Sequence, residues 1–186
     1  MTVLKRQRTV WLRLVAGTFG ALAISVSAPA QTRLAPFLAT PADVVDRMLR
    51  LASTGPADRV YDLGSGDGRI VIAAAKTFGA RGVGIDIDPA LVDQARANAA
   101  AAGVADRVTF RVEDAMTTDV SDATIVTLYL LAASNVKLRP RLQSQLRPGA
   151  RIVAHNFGMG DWEPDKVDTF RDVGGATRTL YLWTIR

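Results

Sequence analysis

Cysteine is absent from the 186 residues, which excludes disulfides, thiol nucleophiles and cysteine-ligated zinc or iron–sulfur centres. Its absence leaves the compartment open. Histidine occurs once, as His155, so a single side chain has an ordinary pKa near neutrality. A basic stripe of the kind that tracks phosphates is also missing. The formal net charge is +5, but Lys5, Arg6, Arg8 and Arg13 lie in the first thirty residues with no acid among them. Taking these 4 from 23 leaves 19 basic residues against 18 acidic ones, or +1, for the remainder. Nucleic-acid binding through bulk charge is thereby disfavoured. No internal repeat is present, and the alanine-rich stretch 95–102 reads simply as a good helix.

With 48% apolar and 22% charged residues, the chain has the composition of a folded protein, and its length suits one domain. Its first thirty residues stand apart. A basic stretch, "MTVLKRQRTVWLR", precedes an apolar run of about fifteen residues, and Ala28-Pro29-Ala30 resembles a small-x-small cleavage site. The run is short for a spanning helix, which needs ~20 residues. Residues 1–30 therefore read as a signal peptide or an N-terminal membrane anchor, 31–39 as a linker and 40–186 as the folded domain. The basic residues precede the apolar run, so the domain is expected to be exported (periplasmic) or anchored at the inner membrane. It would be cytoplasmic if the segment is a misassigned start.

Strand and helix patterns then alternate. Thr40 and Pro41 open a helix whose apolar residues Val44, Val45, Met48, Leu49 and Leu51 share one broad face. Strands are predicted at 60–63, 82–87, 107–114, 123–131 and 151–157. Helices are predicted at 69–78, 89–102 and 136–146, the last disturbed by Pro140. Gly174-Gly175 joins two final strands in a hairpin. The pattern predicts an α/β fold: a doubly wound, mostly parallel seven-stranded sheet with an antiparallel C-terminal hairpin.

The segment "VYDLGSGDGRIVIAAAK" places Gly64, Gly66 and Gly68 directly after the first strand. Glycine permits positive φ and close approach of the backbone to a ligand. Such a loop faces the crevice at the carboxyl ends of the strands. The dinucleotide fingerprint is GxGxxG, and here the third glycine comes one residue early, with Asp62 two residues before the first. A carboxylate there repels a pyrophosphate and attracts an ammonium or sulfonium, which favours S-adenosylmethionine over NAD or FAD. Asp86, 18 residues after Gly68, suits the ribose hydroxyls of either kind of nucleoside. Ile87 is placed to pack on adenine, and Asp88 reads as a helix cap. Asp114, or alternatively Glu113, is a candidate acceptor for the adenine amino group; solvated acids at a strand end are the bland reading.

"YDLGSGDGR", "GVGIDIDP" and "VED", in this order and spacing, resemble class I S-adenosylmethionine-dependent methyltransferases with a Rossmann-like sheet. The likeness covers residues 36–186. "DLGSGDGRIVIAAAK" and "FGMGDWEPD" are similar to small membrane-associated protein-lysine methyltransferases of mitochondria, acting on the ATP synthase c-subunit or the adenine nucleotide translocator, and to their bacterial relatives. The resemblance implies that Asp62, Gly64, Ser65 and Gly66 line the methionine part of the cofactor, that Asp86 holds ribose, and that Asp114 holds adenine. It also makes Phe37 and Thr40 candidates for closing the pocket. The fourth strand ends "TLYLL" rather than in the Asn/Asp-Pro-Pro-Tyr of adenine and glutamine methyltransferases, which argues against those acceptors.

The acceptor is expected beyond the fourth and fifth strands, where Tyr129, His155, Asn156 and Trp162 are the polar or aromatic residues. His155 reads either as a chemical group or as a structural hydrogen-bonder, and Trp162 as an aromatic wall for an ammonium or a cap on the core. The implied reaction is methyl transfer to a protein lysine, with no metal and no nucleic-acid partner, by a monomer that can associate with a membrane through its N-terminus. A small-molecule acceptor, a non-catalytic nucleotide-binding domain and an NAD-linked reductase are the competing readings.

Overall fold

The computed structural model describes residues 39–186. The predicted signal or anchor segment, Phe37 and most of the predicted linker lie outside the described residues. The elements in chain order are α1 (Ala42–Leu51), β1 (Arg59–Leu63), α2 (Arg69–Phe78), β2 (Arg81–Asp86), α3 (Pro89–Ala101), β3 (Val108–Val112), β4 (Ile125–Leu128), α4 (Ala132–Gln145), β5 (Arg151–His155), β6 (Lys166–Arg171) and β7 (Thr177–Thr184). The seven strands form one sheet in the order β3-β2-β1-β4-β5-β7-β6. The first five of these pair in parallel, and β7 enters antiparallel between β5 and β6. The strand order reverses at β1 and β4, which opens a crevice at their carboxyl ends.

Local chemistry sets most of the boundaries. Gly79, in the left-handed region, stops α2. The Asp88 side chain accepts the Ala90 N–H at 2.9 Å and Pro89 occupies the first helical position, so α3 starts where the cap reading places it. At α1 the structure differs from expectation by one residue. Pro41 is the N-cap with no side-chain cap, and Thr40 is buried with its carbonyl turned to Arg69. Helix α4 starts at Ala132, four residues earlier than predicted, and keeps Pro140 inside it. Proline removes one i→i−4 bond there. Burial of Leu138 and Leu142 in the core holds the helix together, each worth roughly 1.5–3 kcal/mol.

The strand–helix alternation lapses twice, since residues 113–124 and 156–165 contain no helix. Alternate strand residues feed two cores. Val60, Ile125, Val153 and Leu180 pack with α1, α2 and α3 on one face. Tyr61, Leu63, Val126, Ile152 and Trp183 pack with α4 on the other.

Candidate active site

Pleating decides which side chains can meet. Asp62 is paired in register with Gly84 on one side and Thr127 on the other. Gly84 pairs with Phe110, and Asp86 with Val112. Thr127 pairs with Val153, and His155 with Leu180. Because paired residues share a face and the face alternates at every residue, Asp86, Asp62, Tyr129, His155 and Arg178 line one face at the carboxyl edge. It is the face that carries α1, α2 and α3.

The glycine loop crosses this edge. Gly64, Gly66 and Gly68 all have positive φ, at 85°, 52° and 81°. A Cβ on Gly64 would stand 2.9 Å from Leu130 Cδ2, and one on Gly68 would stand 2.6 Å from Phe110. Four of the loop's donors are spent internally. Gly64 and Ser65 N–H both donate to the Ile85 carbonyl at 2.8 Å, Gly68 N–H donates to the Ser65 carbonyl, and Gly66 N–H donates to Asp86 Oδ2 at 2.8 Å. A pyrophosphate site needs such N–H groups turned outward. Carboxylates gather at this loop instead: Asp62 at its start, Asp67 within it, and Asp86, which accepts from Gly66. Arg69 clasps the loop from outside, pairing with Asp67 and donating to the Thr40 carbonyl at 2.8 Å, while Asn98 donates to the Asp67 carbonyl.

Each predicted cofactor residue has a definite setting. Asp62 is buried, and desolvation first, then the nearby Asp86 and Asp67 charges, push its pKa from 3.8 up to about 7 against the lowering effect of Thr127. Thr127 Oγ1 donates to Asp62 Oδ1 at 2.7 Å. Asp86 Oδ1 accepts the Asp88 N–H at 3.0 Å, so both of its oxygens are oriented by backbone while each keeps a lone pair for a hydroxyl. Ser65 lies beneath the loop, its hydroxyl buried without a partner against the side of Gly84. Ile87 follows Asp86 in the bend before α3 and is half-buried. Asp114 Oδ1 accepts the Met116 N–H at 2.8 Å, and Glu113 accepts from Thr118. Val112, half-exposed opposite Asp86, adds an apolar surface beside them.

The four predicted acceptor residues separate. Tyr129 and His155 stack with ring centroids 4.0 Å apart. Both ring nitrogens of His155 are buried without a hydrogen-bond partner, and burial, followed by the Arg178 charge, lowers its pKa from 6.5 to about 4. The lowered pKa keeps the ring uncharged at neutral pH. Asn156, at φ 63°, extends the β5–β7 ladder: its N–H donates to the Thr179 carbonyl at 2.7 Å and its Oδ1 accepts the Thr179 N–H at 3.1 Å. Trp162 belongs to the opposite face. It packs on Trp183, whose Nε1–H donates to the Trp162 carbonyl, and its ring faces the Arg139 guanidinium. Thr127, Asp172 and Arg178 complete the edge, and no sequence motif marks them.

The family model described as the ANTKMT methyltransferase domain matches residues 62–166, more than half of the chain. This chain belongs to that methyltransferase family. It is 41% identical over 151 residues to a protein-lysine N-methyltransferase of Saccharolobus islandicus, covering 81% of this chain and 93% of that protein. It is 31% identical over 177 residues to the adenine nucleotide translocase lysine N-methyltransferase of Mus musculus, covering 95% of this chain and 72% of that protein. Among solved structures it resembles one described as an RNA methyltransferase from Salinibacter ruber in complex with S-adenosyl-L-homocysteine. That match has a TM-score of 0.75 and 58% identity, covering 80% of this chain and 94% of that one. The methyltransferase is S-adenosylmethionine-dependent. Its loop suits that cofactor, with four of its N–H donors spent internally and carboxylates at its start, within it and against it.

Proposed function

We propose that this methyltransferase transfers a methyl group to the side-chain nitrogen of a protein lysine. The observation that carries the reading is the row of one-face residues, which sets acids at the β1–β3 end and an uncharged Tyr129–His155 wall beside them at β4 and β5. An acceptor lysine and a sulfonium are both cations, and a wall that stays neutral repels neither. The names of the Saccharolobus and mouse relatives support the same acceptor.

S-adenosylmethionine supplies an electrophilic methyl on a sulfonium, and the amine lone pair forms the new C–N bond as the C–S bond breaks onto sulfur. The chain's work is positioning. Asp86 would accept the ribose hydroxyls, Asp114 the adenine amino group, and Asp62 would face the methionine ammonium. Tyr129 and His155 would flank the acceptor amine, exclude water, and favour its neutral, nucleophilic form by low local polarity. The proton lost from nitrogen leaves to solvent, so no dedicated base is required.

Incubation of the full-length protein with methyl-labelled cofactor and a bacterial membrane extract tests the acceptor. Label is expected as Nε-methyllysine after protein hydrolysis. The description of the Salinibacter structure favours a second reading, an RNA acceptor, and label sensitive to ribonuclease would establish it. Label confined to lipid or small molecules would refute both.

The location is proposed as the membrane or beyond it, on the basic-then-apolar pattern of residues 1–30. Among the described residues no helix is long and apolar enough to cross a membrane. Fractionation of a tagged full-length protein should recover it with inner membranes or the periplasm; recovery wholly in the soluble cytoplasm would refute this.

A further inference from the structure

Thr127 stands at the centre of the sheet. Its strand, β4, lies between β1 and β5, and its register partners are Asp62 on one side and Val153 on the other. Thr127 is fully buried, and Asp62 is only 2% exposed. A hydroxyl has one proton to give. The Tyr61 carbonyl stands 3.4 Å from Thr127 Oγ1 and Asp62 Oδ1 stands 2.7 Å away, so the proton goes to the carboxylate. The branched Cβ of threonine stiffens χ1, which fixes where that hydroxyl sits.

An aspartate needs such a pin. The torsion that turns its carboxylate is broad, so neither oxygen has a direction of its own. With Oδ1 tied to Thr127, the plane of the Asp62 carboxylate is set, and so is the outlook of Oδ2. Among the described residues Oδ2 takes part in no hydrogen bond. A buried carboxylate is costly unless it is paired and hydrogen-bonded. The neighbouring charges that act on Asp62 are those of Asp86 and Asp67, so Oδ2 is a place for a cation and not for an anion.

We propose that Thr127 is a positioning residue for the cofactor: by holding Asp62 Oδ1 it turns Oδ2 towards the ammonium of the methionine part. This deepens the reading that Asp62 faces that ammonium, and rests on it.

Calorimetric titration of the full-length protein with S-adenosylhomocysteine and with methylthioadenosine tests it. The second ligand keeps the nucleoside and the sulfur but has no amino-acid part. Thr127→Val removes the hydroxyl and keeps the shape of the side chain. It should weaken S-adenosylhomocysteine by about tenfold and leave methylthioadenosine within about twofold. A merely structural role for Thr127 would weaken both ligands alike. Thr127→Ser keeps the hydroxyl and should restore most of the affinity. In an Asp62→Asn background Thr127→Val should cost less than about twofold, as expected for residues acting as one unit. An equal loss of both ligands in Thr127→Val, or no loss, would overturn the proposal, as would a serine variant as weak as the valine one. Asp62→Asn alone separates the proposal from the reading beneath it. If that variant weakens both ligands equally, the reading of Asp62 falls and the proposal with it. If it weakens only S-adenosylhomocysteine while Thr127→Val matches wild type, the proposal falls and the reading stands. Should Thr127→Val prove insoluble, Thr127→Ala is read in the same way.

Discussion

Asp62 illustrates how one buried carboxyl can link cofactor binding to protons. Its pKa near 7 arises from desolvation, which outweighs the hydrogen bond it accepts from Thr127 at 2.7 Å. The sign follows from linkage. Unfolded, the group titrates near 3.8; folded, it keeps its proton up to about 7. Between those values the folded state holds more protons, so raising the pH removes stability across that window and no further above it. Relative to Asp62→Asn, the wild type should lose stability between about pH 4 and 7 in urea titrations made without cofactor. A cationic cofactor favours the carboxylate, so S-adenosylmethionine should bind more tightly as pH rises towards about 7, with release of a proton. Calorimetry in buffers of different ionisation enthalpy reads that proton directly. A pH-independent affinity, equal in Asp62→Asn, would show that Asp62 does not sense the ligand's charge.

At the scale of elements, the junction between β1 and α2 is the least forgiving part of the fold. Gly68 is the N-cap of α2 at φ 81°, and any Cβ there meets Phe110 at 2.6 Å and Ala95 at 2.9 Å. Left-handed φ costs an alanine roughly 1–2 kcal/mol, and overpacking adds roughly 1–3. Gly68→Ala should therefore destabilise the protein by about 2–5 kcal/mol, seen as a lower urea midpoint with an unchanged slope. A variant as stable as wild type would mean that the loop can move off Phe110. This junction is legible in the sequence because its signals are local: three glycines, a stop at Gly79, and Asp88-Pro89 at the next helix. The edge beyond β4 is not. Thr127 meets Asp62 through strand pairing and register, and Arg178 meets Asp172 across the β6–β7 hairpin, which no short motif encodes. Trp162 follows β5 closely in sequence, which suggests a place beside His155, but the chain between them carries it to the opposite face. The early start of α4 is hidden for a related reason, since tertiary burial of Leu138 and Leu142 outweighs the helix-breaking tendency of Pro140.

For the whole molecule, the cofactor should act as a global stabiliser, because the proposed site lies where β1, β2, β3 and the α2 junction meet. At a concentration about a hundred times its dissociation constant, a ligand specific to the folded state adds roughly 2.7 kcal/mol. S-adenosylmethionine and S-adenosylhomocysteine should each raise the melting temperature of the full chain, and NAD should not, because Gly64, Ser65, Gly66 and Gly68 have already spent the N–H groups a pyrophosphate would need. Stabilisation by NAD alone would overturn the cofactor assignment and revive the reductase reading. The pleat that lines up the edge has a further consequence. The residues proposed to hold the nucleoside stand on β1, β2 and the end of β3, whereas His155 depends on the phase of β5. Inserting one codon within β5 would swing His155 through the sheet and leave Asp62 and Asp86 untouched; inserting two would bring it back. One inserted codon would thus part the aromatic wall from the acids of β1 and β2, and a second would rejoin them.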